Sequence, residues 1–480
     1  MEGAQVNVSS NVARRSEESE ASPRVQTPAE QNSEGETRTD VMLEINDTEG
    51  QEQEEPLISR EWSWTIFRVP AHVREVDEGA YNPKIVSIGP FHHNEPGLRS
   101  AMEVQKQRIL NRLLDRTRQL NLEMCLENAM RELEGKTREC YSEHFEGINS
   151  AGFVQMMVLD GCFIVELLRL YGKTYKGKRV VKEPIFETRW MLPTIARDLL
   201  MLENQLPLFV LQKIFELTTF KRKFTPLNKL ALRFFEPLRI GRGKLAKNIS
   251  NKRGEYPHLL ALFHSTFIPS DHKYQSLPIK KVRWNQYDNV PGKGWVQNAK
   301  SLHSAGITFR KKTSNNLLDI KFESEELMIP TLFIDDGTGP LLRNLIAFEQ
   351  SNRYVAPFFS CLAVFLSCLV DTTDDINILR NAGIIIQVKG GNEEVVNLLN
   401  SLNKELEIDM DDCCITKQIE DINRYYKSTR AKIISIVKIV MTKINFVNIV
   451  LSYLSFLQTT SSSLFRTSND DSLAPSPSPF

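Results

Sequence analysis

Residues 197–217 read RDLLMLENQLPLFVLQKIFEL. Leu199, Leu200, Leu202, Leu206, Phe209, Val210, Ile214 and Leu217 make the run too apolar for a wet surface, yet Glu203, Asn204 and Gln205 stand together at its centre. A buried carboxylate or amide is costly unless its hydrogen bonds are met. Pro207 has no N–H and, inside a helix, would crowd the carbonyl of Glu203. The run is therefore predicted to fold as two helical pieces meeting at a polar knot, which other parts of the chain must satisfy. Its length approaches the roughly 20 residues that span a bilayer. Glu, Asn, Gln and Pro at the centre oppose insertion, so a core segment is expected. The knot reads first as a structural hub and only second as a ligand or catalytic site.

Upstream, IFRVPAHVREVDEGAYNPKIVSIGPFHH (66–93) carries Pro70, Pro83, Pro90 and Gly89, which forbid a long helix and leave extended chain and turns. Three- and four-residue apolar spacing then predicts helices from Met102, from Leu120 to Leu133, and from Phe153 to Leu170, the last with Asp160 and Gly161 at its centre. Downstream, Ala305–Phe309, Leu318–Phe322 and Leu327–Ile334 show the period of short strands in a small antiparallel sheet. Thr338 is placed to cap a helix from Pro340 to about Arg353, with Asn344 and Glu349 on it. Further helices are expected at Pro357–Val370, Asp374–Leu379 and Glu393–Leu406.

The 480 residues carry no formal net charge, but the balance is uneven. Residues 1–56 hold fourteen acidic and four basic side chains and no aromatic one, the composition of a disordered acidic tail. Residues 218–254 hold eleven Lys or Arg against the single acid Glu236, which reads as a solvated basic insert. Nucleic acid is disfavoured as its partner because Phe220, Phe224, Phe234 and Phe235 form no base-stacking motif. Seven cysteines without regular spacing argue for a reducing compartment and against a disulfide framework. The polar, acidic start lacks the apolar core of a signal peptide.

Motifs for catalysis or metal are missing. Gly172-x4-Gly177-Lys178 has Arg179 where a phosphate loop needs Ser or Thr. His92 and His93 are adjacent, and His258, His264 and His272 have no ligand spacing. Asp335-Asp336 and Asp374-Asp375 each sit at an expected turn or helix start. No enzyme activity, catalytic residue, metal or cofactor is expected. The competing reading is an enzyme built on Glu203 with His92 or His93.

From Ile433 to Leu457 the pattern is different again. Ile433, Val437, Val440, Ile444, Val447, Leu451 and Leu454 form an apolar stripe, and Ser435, Lys438, Thr442, Asn445, Asn448, Ser452, Ser455 and Thr459 a narrow polar one. Lys443 and Arg466 bracket 22 uncharged residues, long enough to cross a membrane. Lys427, Arg430, Lys432, Lys438 and Lys443 precede them, which by the positive-inside rule puts the main body in the cytoplasm. The alternative is an amphipathic helix that closes the domain. The expected organisation is a tail (1–56), a main domain (62–425), a C-terminal hydrophobic helix (428–460) anchoring the chain once through residues 433–457, and a polar end (467–480).

Several blocks resemble the plant "domain of unknown function 247" family, also called uncharacterised protein family 0481. They are Phe67-Arg68-Val69-Pro70 through Tyr81-Asn82-Pro83, Ile88-Gly89-Pro90-Phe91-His92-His93, Met102-Glu103-x-x-Lys106, Leu159-Asp160-Gly161-Cys162-Phe163, Arg197-Asp198 through Glu203-Asn204-Gln205-Leu206-Pro207, Ser304-Ala305-Gly306-Ile307, Ile329-Pro330, and Asn344-Leu345-x-Ala347-Phe348-Glu349-Gln350. The resemblance runs in order over about residues 65–405. It implies a plant protein of α+β class, mostly helical with a small β element, that ends in a transmembrane helix. Some members are linked to pollen–stigma recognition, which implies an unidentified protein partner, and no catalytic residues are established. The chain departs from the family near its end, with no Trp after Trp295 where an Asn-Pro-Trp-like entry is usual.

Overall fold

The computed structural model describes residues 64–115, 121–175, 183–219, 224–241, 256–268, 295–314, 316–352, 355–406, 408 and 413–467. The acidic tail, residues 220–223 and 242–254 of the basic insert, and the last thirteen residues lie outside them. The fold is α+β and mostly helical.

Its axis is the helix Ser150–Tyr175, long and apolar enough to cross a membrane but buried inside the protein. Phe153, Met157, Phe163, Leu167 and Leu168 are enclosed, and the helices Pro96–Asp115, Leu122–Glu139, Leu208–Leu217 and Leu227–Phe235 surround it. A helix apolar on every side needs such a sheath, since one stripe could not bury it. Gly161 lets the Leu208–Leu217 helix come close: a Cβ there would meet Ile214 Cδ1 at 2.3 Å.

The run 197–217 holds one helix, Leu208–Leu217, rather than the two pieces expected: the preceding helix Met191–Asp198 ends at the run's second residue, and 199–207, with Glu203, Asn204 and Gln205, are turns and irregular chain. Pro207 is the N-cap of the second helix, whose first N–H (Leu208) donates to Pro257 O at 2.7 Å. Residues 66–93 are irregular apart from the short helix Ala71–Glu75 and the 3₁₀ turn Glu78–Ala80.

The strands correct the expectation of one antiparallel sheet. Thr308–Lys312 (β1), Lys321–Glu323 (β2) and Glu326–Pro330 (β3) form a mixed sheet of order β1-β3-β2, with β1 parallel and β2 antiparallel to β3. The run Leu327–Ile334 breaks after Pro330, where no N–H remains to continue the ladder. Leu332–Ile334 (β4) joins Ile385–Gln387 (β5) in a separate parallel pair. β5 lies in a segment read only as a connection, too short to show a period.

The basic insert also needs correction. Leu227–Phe235 is a helix whose Leu227, Leu230, Ala231, Leu232, Phe234 and Phe235 are in the core, so this part is no solvated loop. Its Lys229 and Arg233 occupy the outward positions of an amphipathic helix.

In the C-terminal half, Phe358–Leu369 packs against Thr338–Ser351 and Asn392–Ser401, and Asn392–Ser401 also packs against Thr373–Asn381. Thr338 begins its helix rather than preceding it, and its hydroxyl accepts the Asp335 N–H at 2.9 Å. Asp375 completes a capping box with Thr372, and Asp335 accepts the Gly337 N–H at 2.8 Å, so one acidic pair belongs to a helix start and the other to a turn. Glu349 accepts Phe359 N–H (2.7 Å) on Oε1 and Ser360 N–H (2.8 Å) and Oγ–H (2.8 Å) on Oε2, and His264 Nε2 lies 2.6 Å from Oε1. It thus caps the next helix from inside the core. Glu349→Ala would leave all these donors unmet, and an equilibrium urea titration should show a loss of about 2–5 kcal/mol.

Candidate functional site

Most of the residues singled out by sequence converge on one buried network. It fastens the irregular segment 66–93 to the helical core. Because that segment has no ladder of its own, its N–H groups must find acceptors elsewhere. Asp198, at the end of the Met191–Asp198 helix, takes three of them: Lys84 N at 3.0 Å on Oδ1, with Ile85 N (2.9 Å) and Val86 N (3.0 Å) on Oδ2. Burial pushes its carboxyl up, and those three N–H groups oppose the shift.

Asn204 continues the clamp. Its Oδ1 accepts Ile88 N–H at 2.6 Å, while Nδ2 donates to Val86 O and Asp198 O, both at 2.9 Å. Gln205 donates to Leu199 O and Met201 O at 2.8 Å and accepts Leu260 N–H at 3.1 Å. Asp160 reaches out of the central helix to Gly89 N–H (2.9 Å) and Lys106 Nζ (2.7 Å), and that ammonium also donates to Ser87 O at 2.7 Å. Gly89 has φ 72°, and a Cβ there would lie 2.9 Å from Gln205 O, so only glycine fits. Tyr141 Oη donates to the same Gln205 carbonyl at 3.1 Å. Asn344 ties in the C-terminal half by accepting Leu202 N–H and donating to Ala80 O, each at 2.8 Å.

Glu203 is the charged member. Its carboxylate accepts Val69 N–H (2.8 Å) and Arg68 Nη1 (3.0 Å), and pairs with Arg74. His92 Nε2 stands 3.4 Å away without hydrogen-bond geometry, and its Nδ1 lies 2.6 Å from Glu95. Burial opposes ionisation of Glu203, but the His92 imidazole, the Val69 N–H, Arg74 and Arg68 outweigh it and hold the carboxyl below its ordinary range. Arg68 also forks onto Glu143 and covers the Phe91 ring at 4.5 Å.

Of the predicted site residues, Asp160, Asp198, Glu203, Asn204, Gln205, Asn344, Gly89, His92 and Arg68 therefore meet. Gly161 and Pro207 act in helix packing, Pro83 and Pro90 sit buried in the clamped segment, and Tyr81 is buried beside it. Pro70 is exposed and accepts Arg74 N–H at 3.0 Å. Glu349 lies apart, in a second cluster with His264. His93, the other candidate base, is half-buried. Sequence reasoning missed Arg74, Tyr141 and Glu143, because nothing in their spacing marks them as partners of residues over sixty positions away.

Residues 66–458 match the plant family DUF247, described as "Plant protein of unknown function". The chain belongs to this family. UPF0481 protein At3g47200 of Arabidopsis thaliana is 32% identical over 387 residues, covering 76% of this chain and 78% of its own. Putative UPF0481 protein At3g02645, from the same plant, is 21% identical over 453 residues, covering 75% and 82%. No solved structure matches. The family match reaches into the C-terminal helix, well beyond the residue-405 limit of the motif blocks.

As chemistry, the network has one acidic oxygen pair near one imidazole, but Glu203 and His92 are only 1% and 2% exposed. Among the described residues, no three His, Cys, Asp or Glu side chains stand together as metal ligands. Gly172 of the phosphate-loop candidate lies within the central helix, and Gly177 to Arg179 fall outside the described residues.

Two outcomes follow. Asn204→Leu should cost about 1–3 kcal/mol through unpaired Ile88 N–H, Val86 O and Asp198 O, measured by chemical denaturation; wild-type stability would refute the clamp. The second concerns His258, enclosed with Nε2 at 3.0 Å from Thr65 O and Nδ1 accepting Ala261 N–H at 3.2 Å. Burial pushes its pKa from 6.5 down to about 3. The folded imidazole stays neutral while the unfolded one binds a proton, so its contribution is complete above about pH 6.5 and is lost as pH falls toward 3. The slope is about 1.4 kcal/mol per pH unit within that window. Denaturation of wild type and His258→Gln from pH 7 to 5 should show their stability difference shrinking with acid.

Proposed function

We propose that this plant protein is held at a membrane by its C-terminal helix and acts by binding, as a recognition or signalling component with its main body in the cytoplasm. The observation that carries the reading is the surface of Thr429–Gln458. Ile436, Ile439, Val440, Met441, Ile444, Phe446, Val447, Ile449, Leu451, Leu454, Phe456 and Leu457 are all exposed, and no part of the apolar window is buried. Elsewhere among the described residues, large exposed apolar side chains such as Trp64, Val104, Met124 and Val388 occur singly. Continuous apolar surface on a soluble protein marks a membrane or partner contact.

The helix leaves the body at a definite point. Ala431 is buried, Ile434 packs at Gly306, Arg430 pairs with Glu325 at 2.8 Å, and Lys438 Nζ donates to His303 O at 2.7 Å. From Ile436 to Gln458 every residue is exposed. The nineteen residues Ile439–Leu457 extend about 28 Å as helix, close to the hydrocarbon thickness. Basic residues gather on the body side, which supports the cytoplasmic orientation.

The enzyme reading has one specific observation in its favour, the nearness of His92 to Glu203. The bonds that Glu203 already makes to Val69, Arg68 and Arg74 favour a structural role for it.

Fractionation tests the anchor. The full chain should stay in the membrane pellet through an alkaline wash, whereas a version ending at Lys438, which keeps every body contact named above, should be released. Release of both overturns the reading.

A further inference from the structure

The exposed helix is apolar on most of its circumference but not on one line. Asn445, Asn448, Ser452 and Ser455 follow at intervals of three, four and three, the spacing of heptad a and d positions. Such a 3.5-residue repeat keeps one seam turned toward a partner helix through a left-handed supercoil, as in many membrane helix pairs. Extended toward the body, the seam reaches Met441 and then Lys438, whose ammonium is drawn aside to His303 O.

The hydroxyl groups nearby find acceptors inside their own helix: Thr442 donates to Lys438 O at 2.8 Å and Ser455 to Ser452 O at 2.9 Å. The carboxamides of Asn445 and Asn448 do not, and both are exposed without a hydrogen bond among the described residues. Each carries two donors and an acceptor, more than a helix with a completed backbone ladder can absorb. In water that is harmless. In hydrocarbon it is costly, because no solvent replaces the missing partners.

We propose that the seam Asn445–Asn448–Ser452–Ser455 docks a second copy of this chain, helix parallel to helix within the bilayer. The proposal rests on the membrane reading above. A second copy fits because a carboxamide complements itself: placed opposite its twin, each amide donates to the other's oxygen. It also lies at the same depth by construction, since the body holds every copy's helix at Lys438. Within one chain the only other described helix of sufficient length and hydropathy, Ser150–Tyr175, is occupied as the core. Ser452 and Ser455 are small enough to let the backbones approach below the two amides.

The test uses the full chain reconstituted in phosphatidylcholine–phosphatidylserine vesicles, with retention through an alkaline wash scored first. Single substitutions Asn448→Cys and Ser452→Cys place a thiol on the seam; Val450→Cys lies about 140–160° around the helix from every seam position. Wild type reports the background from the seven native cysteines. Under copper–phenanthroline oxidation the two seam variants should form covalent dimers above that background and Val450→Cys should not. A companion measurement mixes donor- and acceptor-labelled copies: Asn445→Leu, which makes the helix more apolar, should weaken association roughly three- to tenfold. Retained protein with no seam cross-link, equal cross-linking on both faces, or energy transfer unchanged by Asn445→Leu overturns the seam and leaves the anchor standing. Protein lost in the wash overturns both.

Discussion

A stretch of chain with no secondary structure to satisfy it runs through the middle of this protein, and its burial depends on borrowed acceptors. Lys84, Ile85, Val86, Ile88 and Gly89 turn their N–H groups toward the core, and Asp198, Asn204 and Asp160 receive them. Without those side chains each N–H would carry the full cost of desolvation. The polar residues in the apolar run 197–217 are therefore what makes the apolar run compatible with its neighbours. The same logic explains Gly89: the segment approaches the Gln205 carbonyl so closely that a methyl group would collide.

The arrangement also joins regions distant in sequence. Asn344 touches both the Leu202 N–H and the Ala80 carbonyl, and Glu349 on the same helix caps Phe358–Leu369 and meets His264. One helix thus carries two polar anchors, one for each half of the fold. Networks of this kind restrict the core to one packing, because a shifted register would strand several charges and amides at once. That is a sufficient physical reason for the family blocks to be rich in Asp, Asn and Glu without any reaction.

Much of this was legible in the sequence, and the limits have physical causes. The polar knot, the split at Pro207 and the irregular 66–93 segment could be read because a Pro or a buried amide has few local solutions. The helices could be read from their period. The strand partners could not, since β1 and β3 are parallel and β4 finds β5 across 50 residues, and no local pattern encodes a crossover. The helix at Leu227–Phe235 was hidden by its own charges: Lys229 and Arg233 on the outer face masked an inner face made of Leu and Phe. Arg74 and Tyr141, which complete the network around Glu203 and Gln205, were invisible for the opposite reason, being ordinary residues in ordinary surroundings.

The knot and the C-terminal helix pose the same problem in two solvents. In the core, Asn204 is tolerated because Ile88, Val86 and Asp198 engage its oxygen and both of its N–H groups. On the helix beyond Lys438, Asn445 and Asn448 have no such neighbours among the described residues. A chain that satisfies Asn204 inside and leaves two amides exposed on its most apolar surface either keeps that surface in water, where the apolar residues are at a loss, or moves it to hydrocarbon, where the amides are. The proposed second copy, by burying the seam within an apolar medium, would meet both demands together, which links the proposed anchor to the proposed association.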